Sequence, residues 1–134
     1  MTYYHGYQGS VRFHPTGGTV AAVTQVTQWS MSIKKDVVTT TRVGDMYEKT
    51  AGTTISGSGT IEVLYDGTNT NLITAVNRTN DPGNANFELY LDTAGNKKLT
   101  FAGVIDSAEY GSNADDVQRI TCTFVTNGTI TVSV

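Results

Sequence analysis

The sequence predicts an all-β subunit with one short helix, arranged as a sandwich or barrel. Three observations carry that expectation. The first is composition. The chain has 134 residues, of which 38% are apolar and 16% charged. Thr, Ser, Gly and Asn fill the difference. A chain rich in Thr and Gly and poor in Ala, Leu, Glu and Lys favours strands over helices. The second is period. Most apolar residues alternate with polar ones, as in strands with one buried face. The third is that one segment alone carries a helical stripe.

The elements follow in order. "SVRF" (10–13) is a short strand, and "HPTGGT" (14–19) is a turn with Pro15 and paired glycines. "VAAVTQVTQWSMSI" (20–33) runs into a long strand in which Trp29, Met31 and Ile33 form the buried face. Its continuation through Lys34, Lys35, Asp36, Val37, Val38 and the threonines at 39–41 has β-branched residues but no apolar face. "RVGDMYEKTAGTT" (42–54) has no period and reads as a loop. "ISGSGTIEVLYDG" (55–67) is strand again, and Gly57 and Gly59 on one face suit close approach by another backbone.

"TNTNLITAVNR" (68–78) is the helix, with Leu72, Ile73 and Val76 as its stripe and Thr68 or Asn69 as its cap. "NFELYLD" (86–92) is a strand with Phe87, Leu89 and Leu91 inward. "KKLTFAGVIDSAEYG" (97–111) is another, with Gly103 marking a bulge. Residues 117–126 and 129–134, joined by Asn127-Gly128, read as a hairpin with a type I′ turn. The expected core is Trp29, Met31, Ile33, Phe87, Leu89, Leu91, Phe101, Ile120 and Phe124, closed by the helix stripe.

Charge and motifs narrow the function. The net charge is −3. No basic patch is present, which argues against nucleic-acid binding by phosphate neutralisation. No apolar run is long enough for a membrane helix. The opening "MTYYHGYQGS" has no apolar stretch of the signal-peptide kind, so the chain is expected to stay in the cytoplasm where it is made. His5 and His14 have no partners at metal spacing and read as surface residues. Cys122 shares a parity with Ile120 and Phe124 and reads as a buried core thiol. "DGTNTN" (66–71) hints at calcium ligation through Asp66 and Asn69, but helix capping explains it better. Neither a catalytic constellation nor a metal or cofactor motif stands out, so an enzyme is not expected.

The order of segments adds a family. "VTQWSMSI", "SGSGTIEVLYDG" and "FELYLDTAGNKKLTFAGVI" stand in sequence, with a Thr-rich strand and a "GDMYEK" loop between the first two and a closing β pair at the end. In that order they resemble the tail tube proteins (major tail proteins) of long-tailed bacteriophages. The resemblance covers nearly the whole chain as one domain, 1–134. It implies a β-sandwich with a flanking helix that forms hexameric rings. The rings stack into a virion tail tube through which DNA passes without specific binding. The inner wall is a β-barrel shared by all subunits, and the long loop reaches neighbouring subunits and rings. The implied partners are other copies of the chain, tail terminator, tip or baseplate and tape-measure proteins, and a sheath protein if the tail contracts. No membrane partner is implied.

On that footing residues 42–54 are expected to be the assembly loop, through Asp45, Met46, Tyr47, Glu48 and Lys49, and to be mobile in a free subunit. Residues 1–9 would be an arm contacting neighbours through Tyr3 and Tyr4. Asp36 and Glu62, on the strands assigned to the wall, are the lumen candidates. Two other readings stand beside this one. The first is a small β-sandwich binding module for a sugar or surface, using Tyr3, Tyr4 and Tyr7. The second is a small β-barrel enzyme or carrier.

Overall fold

A computed structural model describes residues 9–23, 26–44, 46–65, 67, 70–112, 114–115 and 117–134. The strands are β1 (Ser10–His14), β2 (Ala21–Ala22), β3 (Val26–Thr39), β4 (Thr50–Leu64), β5 (Ala85–Asp92), β6 (Lys97–Tyr110) and β7 (Arg119–Ser133). One helical turn, α1 (Asn71–Thr74), continues as a 3-10 turn over Ala75–Asn77. All seven strands lie in one sheet in the order β2-β1-β5-β6-β7-β4-β3. Every pairing is antiparallel.

A single sheet encloses a core here because it folds over itself. Phe101 pairs with Ile130, whereas Phe124 pairs with Ile105, four residues further along β6. In a flat sheet that offset is roughly 13 Å along the strand. The two rings are nevertheless 5.3 Å apart. The bend coincides with the register break between Phe101 and Gly103. There a Cβ on Gly103 would collide with the Val125 carbonyl oxygen. The bulge expected at Gly103 is therefore present and turns the sheet.

All four phenylalanines of the sequence meet at this fold. Phe13 and Phe87 lie 4.9 Å apart, Phe87 stacks on Phe101 at 4.9 Å, and Phe124 sits 5.3 Å from both Phe87 and Phe101. Val11, Ile61, Val63, Leu89, Ile105, Ile120 and Cys122 are buried around them. Leu72, Ile73 and Ala75 cover one end, with Val76 partly buried. The Tyr110 hydroxyl donates to the Ile73 carbonyl and ties the helical turn to β6. Each large apolar side chain buried here stabilises the fold by about 1.5–3 kcal/mol.

Several expectations need correction. The Asn127-Gly128 hairpin does not form. Residues 119–133 are one strand, and Asn127, Gly128 and Thr129 sit in the register break opposite the bend. Gly128 has φ +94°, which a turn also demands, so the local signal was real but the larger structure is a bulge. Asn127 Nδ2 donates to the Gly83 carbonyl at 3.1 Å and pins the 80–84 turn there. Leu91 is 44% exposed, because the register breaks between Tyr90 and Asp92 and the strand leaves its period. Ile33 is also 44% exposed. It pairs with Gly57, one residue past the end of the β4–β7 ladder. Trp29 and Met31 only pack against the edge of the core, since β3 is the outermost strand.

The run 20–33 is not one strand but β2 and β3. The helix is shorter than 68–78, and Thr70 stands at its N-cap without a side-chain hydrogen bond. The expected caps Thr68 and Asn69 lie outside the described residues. His14 is not incidental. Its Nδ1 accepts from the backbone N–H groups of Gly18 at 2.9 Å and Thr16 at 3.1 Å and closes the β1–β2 turn.

Candidate functional site

β3 and β4 pair along their whole length, from Val26↔Val63 to Thr39↔Thr50. β4 pairs with β7 only over Ser58–Leu64. Residues 34–39 and 50–56 therefore form a two-stranded ribbon beyond the body of the sheet. All described residues from Ser32 to Ser56 are exposed. An isolated two-stranded ribbon is at best marginally stable in water. This one also exposes Val37, Val38 and Ile55.

The strand with no apolar face thus has no core to face. Val and Thr hold its backbone extended without burial. The loop at the ribbon's end is shorter than the 42–54 read from sequence, because β4 begins at Thr50. Thr41 closes it, accepting from the Lys49 N–H at 2.9 Å. At the tip Met46 is 88% and Tyr47 78% exposed. Glu48 and Lys49 flank them, with Glu48 accepting from Thr39 Oγ1 at 3.4 Å. Asp45, Tyr3, Tyr4, Tyr7 and His5 lie outside the described residues, as does Asp66.

The second feature is a polar sheet face. Opposite the core, Ser30, Thr60, Thr123 and Ser107 stand in one row across β3, β4, β7 and β6. Ser30 and Thr60 hydroxyls are 3.1 Å apart, and Ser107 donates to Thr123 at 2.8 Å. The next row holds Gln28, Glu62, Thr121 and Glu109. Glu62 lies in this row, while Asp36 shares the parity of Gln28 and Ser30 along β3 but falls in the register break between Lys35 and Val37.

Glu62 is not a bare carboxylate. It accepts from Thr27 Oγ1 at 3.0 Å, Gln28 Nε2 at 3.1 Å and Arg119 at 3.2 Å. The Thr27 hydrogen bond, then that of Arg119, hold its carboxyl below the ordinary range. Sequence could not pair Glu62 with Arg119, because 57 residues separate them.

A third cluster lies on β5 and β6. Lys98 Nζ pairs with Glu88 at 3.0 Å, and the Tyr90 hydroxyl donates to the same carboxylate at 2.8 Å. Arg12 and Lys98 both sit over the Tyr90 ring. Burial works against the Glu88 charge, but Tyr90 and Lys98 hold its carboxyl below the ordinary value. Among the described residues, no three His, Cys, Asp or Glu side chains converge as metal ligands. No described helix is long and apolar enough to cross a membrane.

No family model matches the chain. No curated protein matches it in sequence. Solved structures do match in fold. The tail of an empty gene transfer agent particle, refined helically with C6 symmetry, superposes with a TM-score of 0.77 at 14% identity, covering 98% of this chain and 100% of that one. The SPP1 tail tube gives 0.72 at 12% identity, over 94% of this chain and 77% of that one. The tube-terminating cap of the anti-feeding prophage gives 0.70 at 14% identity, over 98% and 93%. The chain therefore has the tail-tube fold. The agreement spans the ribbon as well as the body, since nearly the full length of this chain is covered.

Proposed function

We propose that this chain is the structural subunit of a virion tail tube, forming hexameric rings that stack around a lumen for DNA. The projecting ribbon carries the reading. A free subunit gains nothing from a run in which every described residue from Ser32 to Ser56 is exposed, Ile33, Val37, Val38 and Ile55 among them. A ring gives the ribbon neighbours on both faces and pairs its open edge, which would otherwise invite uncontrolled association. The six-fold symmetry of the gene transfer agent tail supports the hexamer.

In this reading the polar face lines the lumen. Its hydroxyl rows offer water and passing DNA no cluster of cations to adhere to. Asp36 and Glu109 supply negative charge, while Arg119 offsets much of that of Glu62. The tip at Met46 and Tyr47 is the assembly device, since Met and Tyr are enriched in interface cores. The N-terminal nine residues contact neighbours through Tyr3 and Tyr4. The role is structural rather than catalytic. Terminator, baseplate and tape-measure proteins are the partners at the tube's ends and interior, with a sheath outside if the tail contracts.

Light scattering after size exclusion, with negative-stain microscopy of concentrated protein, tests the reading. Rings or tubes are expected. A discrete small species at every concentration would instead fit a binding module or an enzyme and would end it.

A further inference from the structure

The ribbon tip lies at one end of β4, and a pocket lies at the other. Tyr65, Tyr110, Gly111, Ser112, Gln118 and Ile120 enclose about 340 Å³ where β4 and β6 end and β7 begins. That volume is at the low end for small-molecule sites, which bury whole ligands. Its walls are two tyrosine rings and an isoleucine. The tyrosines are more than half exposed, so the pocket is open to solvent. It is also braced. The Tyr65 N–H donates to the Gln118 carbonyl at 2.9 Å, Gln118 Nε2 donates to Ser112 Oγ at 3.1 Å, and the Tyr110 hydroxyl donates to Ile73.

We infer that this pocket is the receptor for Met46 and Tyr47 of another copy of the chain. The inference rests on the tube reading above and names the surface that receives the tip. Three observations support it. The tip presents apolar side chains and the pocket an aromatic lining, and thioether–ring and ring–ring contacts are favourable there. The tip cannot fill its own pocket, because the length of β4 separates them, roughly 45 Å at the strand rise. A knob at one end of a strand and its hole at the other make a heterologous contact, and such contacts repeat from copy to copy, closing into a ring or running on as an open fibre.

The size of the contact also fits. Burying the two tip side chains removes on the order of 300–400 Å² from water, against about 800 Å² per partner in a stable pair. Two free subunits would not hold together through it. Six such contacts acting in parallel between rings would. Growth then begins only on a formed ring.

The test pairs a cross-link with a charge substitution. Met46→Cys and Tyr65→Cys in one chain place thiols on knob and hole. Cys122 is fully buried and its thiol is pushed up to about 11 by burial, so background oxidation is low. Mild oxidation of assembled protein is expected to give a ladder of covalent multimers on a non-reducing gel, with neither single variant giving more than a dimer. Tyr65→Asp, at an exposed position, is expected to leave circular dichroism unchanged and to cut tube yield at least tenfold. Tubes that form without the cross-link, or a Tyr65→Asp variant that assembles normally, would overturn the inference and leave the tube reading intact. Failure of the unmodified chain to assemble would remove the tube reading and this inference together.

Discussion

The body of the sheet and its projecting ribbon are built from similar residues and behave in opposite ways. β3 runs through both. At Trp29 and Met31 it leans on a core. Six residues later Val37 and Val38 are exposed. What changes is not β propensity, which is high throughout, but the number of neighbouring strands. From Ser58 to Leu64 the β4 strand is flanked by β7, whose Phe124 and Cys122 sit beside Gly59 and Ile61. Over Thr50–Ser56, among the described residues, the only strand paired with β4 is β3. The body is stabilised by what it buries, and the ribbon buries little.

The sharpest way to break that comparison is in the body. Phe87 is fully buried and touches three other rings. Phe87→Ala should cost about 3–5 kcal/mol, read as a lower urea midpoint. A loss under about 1 kcal/mol would show that the four rings do not form the core. Trp29, at the boundary, should be intermediate. Trp29→Ala is expected to cost about 1–2 kcal/mol in the free subunit, less than a buried tryptophan would. A cost as large as that of Phe87 would mean the body extends further along β3.

The polar cluster of the body sharpens the comparison through pH. The Glu88 carboxyl is held below its ordinary value, so its contribution is present above the unfolded carboxyl pKa and is lost as pH falls through the folded one. The Lys98 ammonium is held above its ordinary value by Glu88, against burial, so its contribution is full below the unfolded lysine pKa and is lost as pH rises through the folded one. Stability should therefore show a small step at each end of the pH range. Lys98→Met should shrink both steps, and unfolding curves that keep their pH dependence in this variant would discount the pair.

The smallest effect on stability belongs to the tip. Met46→Ser with Tyr47→Asp should change the urea midpoint of the free subunit by less than about 0.5 kcal/mol, as exposed positions do. Assembly should nevertheless fail. A double variant that still forms normal tubes would shift the assembly role to the N-terminal tyrosines.

Much of the fold was legible from local pattern. The strand at 10–13, those at 86–92 and 97–111, the helix stripe, the Gly103 bulge and the buried Cys122 all follow from period and parity, because each depends on residues close in sequence. The close backbone approach expected at Gly59 is also present: a Cβ there would collide with the Ser30 carbonyl oxygen. The lapses share one cause. Leu91 and Ile33 have the right parity, but a register break and the end of a neighbouring strand expose them. Asn127-Gly128 carries a turn signal that the bend of the sheet uses as a bulge. His14 reads as an isolated imidazole until the turn brings two backbone N–H groups to it.

By itself the sequence determined that the chain is β, where the strands at 10–13, 86–92 and 97–111 run and which residues prefer an interior, since propensity and alternation are local properties. Only the tertiary structure decided that one folded sheet makes the core, that half of β3 and β4 stands outside it, and that Glu62 meets Arg119. Those outcomes depend on which strands become neighbours. Neighbours distant in sequence are selected by the packing of the whole chain, and no local window of residues contains that information.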